Sequence, residues 1–191
     1  MLKQAIAIVT LSIVSSIAAA DNFHKTLVPY SLAEKQELAL IKASQSMQDN
    51  KLQAAIRQLE PLAPRYYNHP KRLQLLATIS LKQDKPQVAI DYLLKISKQY
   101  QGNSIFVGTL AMAYYNAGLY DLALQNYNIL TMQEANNHKW WLGLATSLDA
   151  KGAIQHALEA YIKTKSIGNL NVIAAQYVNK RIAELTKVLN S

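Results

Sequence analysis

The chain has 191 residues, half of them apolar, 17% charged and 8% aromatic, with six Gly, five Pro and no Cys. That composition excludes collagen-like, low-complexity and disulfide-scaffold proteins and indicates one ordinary globular domain. Twenty Lys and Arg against twelve Asp and Glu give a formal charge of +8, which favours solubility and a weak attraction to anionic surfaces without naming a partner.

Residues 1–20 read as a secretory signal peptide. Lys3 supplies the positive start, AIAIVTLSIVSSI the apolar core, and Ala18-Ala19-Ala20 the small-residue cleavage site. Thr10, Ser12, Ser15 and Ser16 interrupt that core, and a stable span wants about 20 apolar residues. The expectation is therefore cleavage after Ala20 and a periplasmic or secreted domain, with an uncleaved anchor as the competing reading. Loss of Lys3 leaves a mature charge of +7, 19 basic against 12 acidic residues. Without cysteine, the exported domain takes no stability from disulfides, and its core has to suffice.

A lead-in follows at 21–35. Ser31 and Glu34 have the spacing of a capping box, which starts the first helix just ahead of a repeating region. The repeat has a period of 34: Ala55, Ala89, Ala123 and Ala157 are evenly spaced, and each is followed by Ile56, Ile90, Leu124 or Leu158. Four positions on come Leu59, Leu93, Tyr127 and Tyr161, and seven positions on come Leu62, Ile96, Leu130 and Thr164. Twelve positions before each alanine stands another, at Ala43, Ala77, Ala111 and Ala145. The i, i+1, i+4, i+7 pattern makes one apolar helical stripe, and the paired small residues let two helices approach closely.

Each unit is thus predicted to be a helical hairpin. Between its helices lie Asn50, Asp84, Gly118 and Gly152, residue types that tolerate the left-handed conformation ending a helix. Pro86 and Pro70 fall where a helix begins, so their missing N–H costs nothing there. After the fourth unit, Ala174, Tyr177, Val178, Ile182, Leu185 and Leu189 recur at helical spacing, with Lys180, Arg181, Glu184 and Lys187 read as the opposite, solvated face. This helix is expected to shield the flank of the last hairpin, as the end of a stacked array requires.

The pattern resembles the tetratricopeptide repeat (TPR). The third unit carries it as Leu110, Ala111, Tyr114, Gly118, Tyr120, Ala123 and Tyr127, and the fourth as Trp141, Leu144, Ala145, Gly152, Ala157 and Tyr161. The first unit departs most, with Lys42 in place of a large apolar residue and Ser46 in place of an aromatic, so its hairpin is expected to pack least tightly. The resemblance implies an all-α fold, a right-handed superhelix of about four hairpins at 36–69, 70–103, 104–137 and 138–171, closed by a capping helix at 172–191. From Trp140 to Leu185 the stretches WWLGLA, SLDAKG, ALEAY and QYVNKRIAEL are also similar to the C-terminal repeats of the MSHA pilus biogenesis MshN family. That second resemblance implies an envelope scaffold supporting a type IV pilus or a related secretion apparatus.

Chemistry is not evident in the sequence. His24, His69, His138 and His156 show no i, i+4 pairing for a metal, and the absence of Cys removes the common zinc sets. Asp49, Asp84, Asp91, Asp121 and Asp149 fall on different segments and read as solvated charge. No nucleophile-elbow, phosphate-loop or S-x-x-K motif occurs in the mature chain. The expectation is a non-enzyme without cofactor or metal, and the tyrosines read as repeat positions rather than as a nucleic-acid surface. Trp141 is expected in the core. Trp140 is expected to pack on the neighbouring hairpin rather than to face a partner.

Stacked hairpins curve so that their first helices line a concave face, where binding is expected. The residues predicted to line it are Gln74, Thr78, Lys82, Thr109, Met112, Tyr115, Asn116, Leu142, Thr146 and Asp149. Lys82 and Asn116 are out of register for the Lys and Asn cluster with which some grooves of this family grip a terminal carboxylate. The neutral hydrogen-bonding groups beside Met112 and Tyr115 suit an extended or helical protein segment instead. The sequence reading is an exported protein-binding adaptor of the cell envelope. The alternative is peripheral attachment to an anionic surface or polymer.

Overall fold

A computed structural model describes residues 30–100 and 102–191; the signal segment read at 1–20, and 21–29 of the lead-in, lie outside them. The described residues form ten α-helices and no strand. In chain order these are α1 (Leu32–Gln48), α2 (Leu52–Leu59), α3 (Pro70–Lys82), α4 (Pro86–Leu94), the short α5 (Ser97–Tyr100), α6 (Ser104–Asn116), α7 (Tyr120–Gln133), α8 (His138–Ala150), α9 (Ile154–Ile167) and α10 (Val172–Leu189). One 3-10 turn, Pro64–Tyr66, lies between α2 and α3. The first helices of the hairpins are α1, α3, α6 and α8. Their partners are α2, α4, α7 and α9, and each hairpin packs on the next.

Local chemistry sets the helix ends. Ser31 and Glu34 close the expected capping box, with the Ser31 N–H donating to Glu34 Oε2 at 2.8 Å and the Glu34 N–H to Ser31 Oγ at 3.3 Å. Asn103, Asn137 and Asn171 cap α6, α8 and α10, accepting from the backbone N–H of Phe106, Lys139 and Ala174 at 2.9, 3.2 and 2.9 Å. An amide oxygen there satisfies one of the first-turn donors that the helix itself cannot. These asparagines are themselves 34 residues apart, a second periodicity running through the chain. The inter-helix turns all have positive φ, at 58° for Asn50, 56° for Asp84, 75° for Gly118 and 74° for Gly152. Short side chains or none are what that region of backbone space tolerates.

Packing follows the alanines. Ala43, Ala77, Ala111, Ala145, Ala55, Ala89, Ala123 and Ala157 are all 0% exposed. The stripe behind each second alanine is buried as expected, from Leu59, Leu93, Tyr127 and Tyr161 to Leu62, Ile96, Leu130 and Thr164. Thr164 takes its place among large apolar residues by donating its hydroxyl to Ala160 O at 2.8 Å, so that no polar atom is stranded.

Three expectations need correction. The second helix of the second unit does not run unbroken through Ile96: α4 ends at Leu94, and the Ile96 N–H donates to Leu93 O at 3.1 Å in a turn before α5 begins at Ser97. In α10, Val178 and Leu185 are buried, but Tyr177 and Leu189 are more than two-fifths exposed, and among the described residues no further hairpin covers that side. At Asn179, 34 residues after Ala145, the array places an exposed polar side chain where a further helix would need a small apolar one. Trp141 is half-buried rather than enclosed; it bridges the cores on either side of α8, with its Nε1 donating to Ala135 O at 2.8 Å and the Lys163 ammonium 5.9 Å from its ring.

Two mid-helix glycines fix how the third and fourth hairpins meet. A Cβ on Gly108 in α6 would lie 2.4 Å from Trp140, and one on Gly143 in α8 would lie 2.3 Å from the Tyr127 ring. Trp140 therefore packs on the neighbouring hairpin as expected, and Tyr127 does the same in the other direction. Glycine inside a helix costs about 1 kcal/mol relative to alanine, and here it makes room for an aromatic ring against bare backbone. Burial, with Tyr115 nearby as a lesser cause, pushes the Tyr127 hydroxyl up to about 12.

Two substitutions test the register. Gly143→Ala gains helix propensity, yet should lower stability by about 1–3 kcal/mol because the ring has to move; a thermal melt shows which effect wins, and a raised melting temperature contradicts the packing described. Ala123→Phe should cost a similar ~1–3 kcal/mol by overpacking the third hairpin.

Candidate protein-binding groove

The first helices bring polar and apolar side chains to one face in rows set by the repeat. One row runs Glu37, Lys71, Ile105, Lys139; another runs Ser44, Thr78, Met112, Thr146. Between neighbouring first helices the surface dips into hollows. The α1/α3 hollow is about 310 Å³ and is lined by Glu37, Ile41, Ser44, Gln48 and Lys71 among others. The α3/α6 hollow, about 170 Å³, is lined by Lys71, Gln74, Leu75, Thr78, Leu93, Ile105, Phe106 and Thr109. The α6/α8 hollow is the largest of the three at about 630 Å³, with Ser104, Ile105, Gly108, Thr109, Met112, Tyr127, Glu134, Asn137, Lys139 and Trp140 around it. Lys71 lines the first two, and Ile105 and Thr109 line the second two, so the hollows form one continuous track.

Of the expected groove residues, the structure gathers Gln74, Thr78, Thr109 and Met112 into this track. Thr78 and Thr109 spend their hydroxyl protons on backbone carbonyls four residues back, at Gln74 O (2.9 Å) and Ile105 O (2.8 Å), which leaves their lone pairs as acceptors. Lys82 and Asn116 lie at the C-terminal ends of α3 and α6, and Lys82 Nζ donates to Asn50 Oδ1 at 3.0 Å. Leu142 packs against the core of the fourth hairpin, and the Thr146 hydroxyl donates to Gly143 O at 3.0 Å.

Asp149 and Tyr115 belong to a different construction. The Arg181 guanidinium holds Asp149 through two nitrogens, Nε to Oδ2 at 2.8 Å and Nη2 to Oδ1 at 2.7 Å. Tyr161 OH donates to the same Oδ2 at 3.1 Å and also meets Tyr177 OH at 3.1 Å. Neither Asp149 nor Arg181 is a solvated charge: their side chains are 16% and 27% exposed. Bonding to Asp149 foremost, and to Glu184 after it, raises Arg181 above its ordinary value. Burial, then its bonding to Tyr177, raises the Tyr161 hydroxyl. Tyr115 stands beside this network with its ring tilted 5.7 Å from Tyr120; burial, followed by the nearby Tyr177, Tyr120 and Asp149, raises its hydroxyl. The bidentate fork ties α8 to α10 and fixes the closing helix.

Sequence reasoning missed Lys71, Ile105, Gly108, Glu134 and Lys139. The row arithmetic that would have found Lys71 and Ile105 is present in the chain, since both are 34 residues from other members of the track. Glu134 Oε2 accepts from Trp140 Nε1 at 2.7 Å and from Asn137 Nδ2 at 2.9 Å, which holds the wall of the largest hollow in place. Among the described residues there is no group of His, Cys, Asp or Glu able to hold a metal ion, and no helix long and apolar enough to cross a membrane.

No family model matches the sequence, and a search of curated proteins finds no sequence match. Solved structures do match. A MamA structure of residues 41 to the end from Desulfovibrio magneticus RS-1 superposes with a TM-score of 0.65 over 84% of this chain and 98% of that one, at 13% identity. A second MamA crystal structure gives a TM-score of 0.63 over 83% and 90% of the two chains, at 18% identity. The APC/C Cut9–Hcn1 hetero-tetramer gives 0.65 at 17% identity, over 77% of this chain and 30% of that one. These neighbours are TPR proteins, and the all-α TPR superhelix is the fold of this chain.

Asp149→Ala should leave Arg181 without its main partner and cost about 1.5–3 kcal/mol, the range for hydrogen bonds to charged groups. Amide exchange should accelerate in α10 while α3 and α4 stay protected. Uniform protection across all of them contradicts the clamp.

Proposed function

We propose that the protein is an exported adaptor that binds a segment of another protein along the first-helix track and helps assemble or position a cell-envelope machine such as a type IV pilus or secretion apparatus. The observation that carries the binding part is the track itself. Adjoining hollows run across α1, α3, α6 and α8, with Ile105 at 75% and Met112 at 42% exposure among hydroxyl and amide groups. Large apolar side chains left in water beside unspent acceptors suit a polypeptide, which presents both side chains and backbone donors. Export rests on the signal-like segment at 1–20, and the envelope role rests on that export together with the likeness of the last repeats to the MshN family. The TPR fold supports a protein partner by analogy with other TPR scaffolds.

The mature charge of +7, 19 basic against 12 acidic residues, supports a second reading, attachment to an anionic surface or polymer. Ionic strength separates the two. Surface attraction fades as the Debye length shrinks, whereas a packed groove interface mostly persists.

The test is a photo-crosslinking amino acid placed at Met112 in the exporting cell, with mass spectrometry of what is captured. A discrete protein adduct is expected, and combined Ile105→Asp and Met112→Asp changes should weaken capture at an unchanged helical circular dichroism spectrum. Absence of any adduct at Met112, with adducts from a crosslinker on the outer face of α7, places binding elsewhere.

A further inference from the structure

The track differs chemically from one end to the other, and that gradient specifies what it takes. Between Glu60 and Asp84 the chain carries no carboxylate, yet it carries Arg65, Lys71, Arg72 and Lys82. The two arginines are held by aromatic faces rather than by acids: Arg65 lies 5.4 Å from the Tyr66 ring centroid, and Arg72 lies 5.1 Å from that of Tyr67 while donating to Tyr67 O at 3.0 Å. Among the described residues no ion pair engages Lys71, which is exposed and lines two adjoining hollows. Glu37, the one acid lining those two hollows, faces His69 at 3.9 Å and the Tyr66 hydroxyl. Of these cations Lys71 alone lines the track, and the α3/α6 hollow carries it with no acid beside it.

One helix further on the chemistry changes. From Gln99 to Tyr120 the sequence has no charged residue, and within that stretch α6 turns Ile105 and Met112 to solvent. Lys71 and Ile105 line the same hollow, so the cation and the apolar surface adjoin. Beyond Met112, Lys139 and Glu134 line one hollow and offset each other in net charge.

We infer that the track selects an extended protein segment in which a carboxylate side chain stands about three residues from a large apolar one, the carboxylate beside Lys71 and the apolar side chain over Ile105. The spacing comes from packing: neighbouring helices lie about 8–10 Å apart, and an extended chain advances about 3.3 Å per residue. Apolar contact supplies the holding energy, while Lys71 sets orientation and association rate and rejects basic segments. This deepens the groove reading and rests on it. The carboxylate can belong to an internal Asp or Glu; a chain terminus is not required.

Fluorescence anisotropy with the purified protein tests it. The probes are labelled Ser/Thr peptides carrying Glu and Leu about three residues apart, with counterparts that replace Glu by Lys or Leu by Ala. The Glu/Leu peptide should bind about tenfold more tightly than either counterpart. Lys71→Glu should reverse the order in favour of the Lys/Leu peptide without altering the circular dichroism spectrum. Equal binding of the Glu and Lys peptides, or an order unmoved by Lys71→Glu, overturns the inference. So does failure of the Glu/Leu peptide to bind when the Met112 crosslinker does capture a protein, and in that case the groove reading stands. Silence at Met112 removes the groove reading and this inference together.

Discussion

The close approach of helices at eight buried alanines is the constraint on which the rest of this molecule depends. At each of these positions the side chain is a single methyl group with no exposed surface, so the facing helix sits nearly against the backbone. Dispersion and apolar burial accumulate only at such contact distances, because even a small radial gap forfeits a large part of each pairwise attraction. A larger residue at one of these positions pushes a hairpin away from its neighbour. In a stacked array that displacement is felt mainly by the adjacent unit, since each unit touches only those beside it. The same close stacking sets the distance between first helices, and hence the width and spacing of the hollows between them.

Where the aromatic side chains are large, the array yields at glycine instead. Trp140 against Gly108 and Tyr127 against Gly143 are reciprocal insertions across one junction, and the largest hollow of the track has Trp140 as its wall and Gly108 at its edge. The helix-propensity cost of two mid-helix glycines is thus tied to the shape of the surface. The third and fourth hairpins, which hold both insertions, also hold the most exposed apolar side chain of the track at Ile105. At the closing end, Asp149 and Arg181 form a fork that positions α10, with Tyr161 and Tyr177 completing its hydrogen bonds. Two groups that look like ordinary surface charge in the sequence are spent on architecture, which removes Asp149 from the acids able to repel an anionic segment.

What could be read from the chain followed the period. The alanines, the turn residues from Asn50 to Gly152 and the stripes behind them recur at 34, and each does in the structure what its side chain dictates. The partners of Gly108 and Gly143 were hidden because a glycine announces conformational freedom, whereas here it supplies room for a ring from another helix. Asp149 and Arg181 were hidden for a related reason: they are 32 residues apart and stand at positions that are not equivalent in the repeat, so no periodic signal pairs them. The break after Leu94 in the second unit was hidden because Ile96 keeps its buried place on the stripe, so the periodic pattern passes through it unchanged.

The groove shows the same division between what repeats and what does not. Its existence follows from repetition, since any stacked set of these hairpins leaves its first helices facing a common concavity. Its selectivity follows from departures within one row, where Glu37, Lys71, Ile105 and Lys139 occupy equivalent positions with different chemistry. Equivalent positions carry equal structural demands, so the fold is indifferent to whether Lys or Ile stands there. Burial does not explain Ile105, which remains largely in water, and no partner within the described chain explains Lys71. A surface on which an unburied isoleucine adjoins an unpaired lysine gains little from either until a third group with both chemistries arrives, and an extended polypeptide bearing an acid near an apolar residue is the simplest molecule that has them.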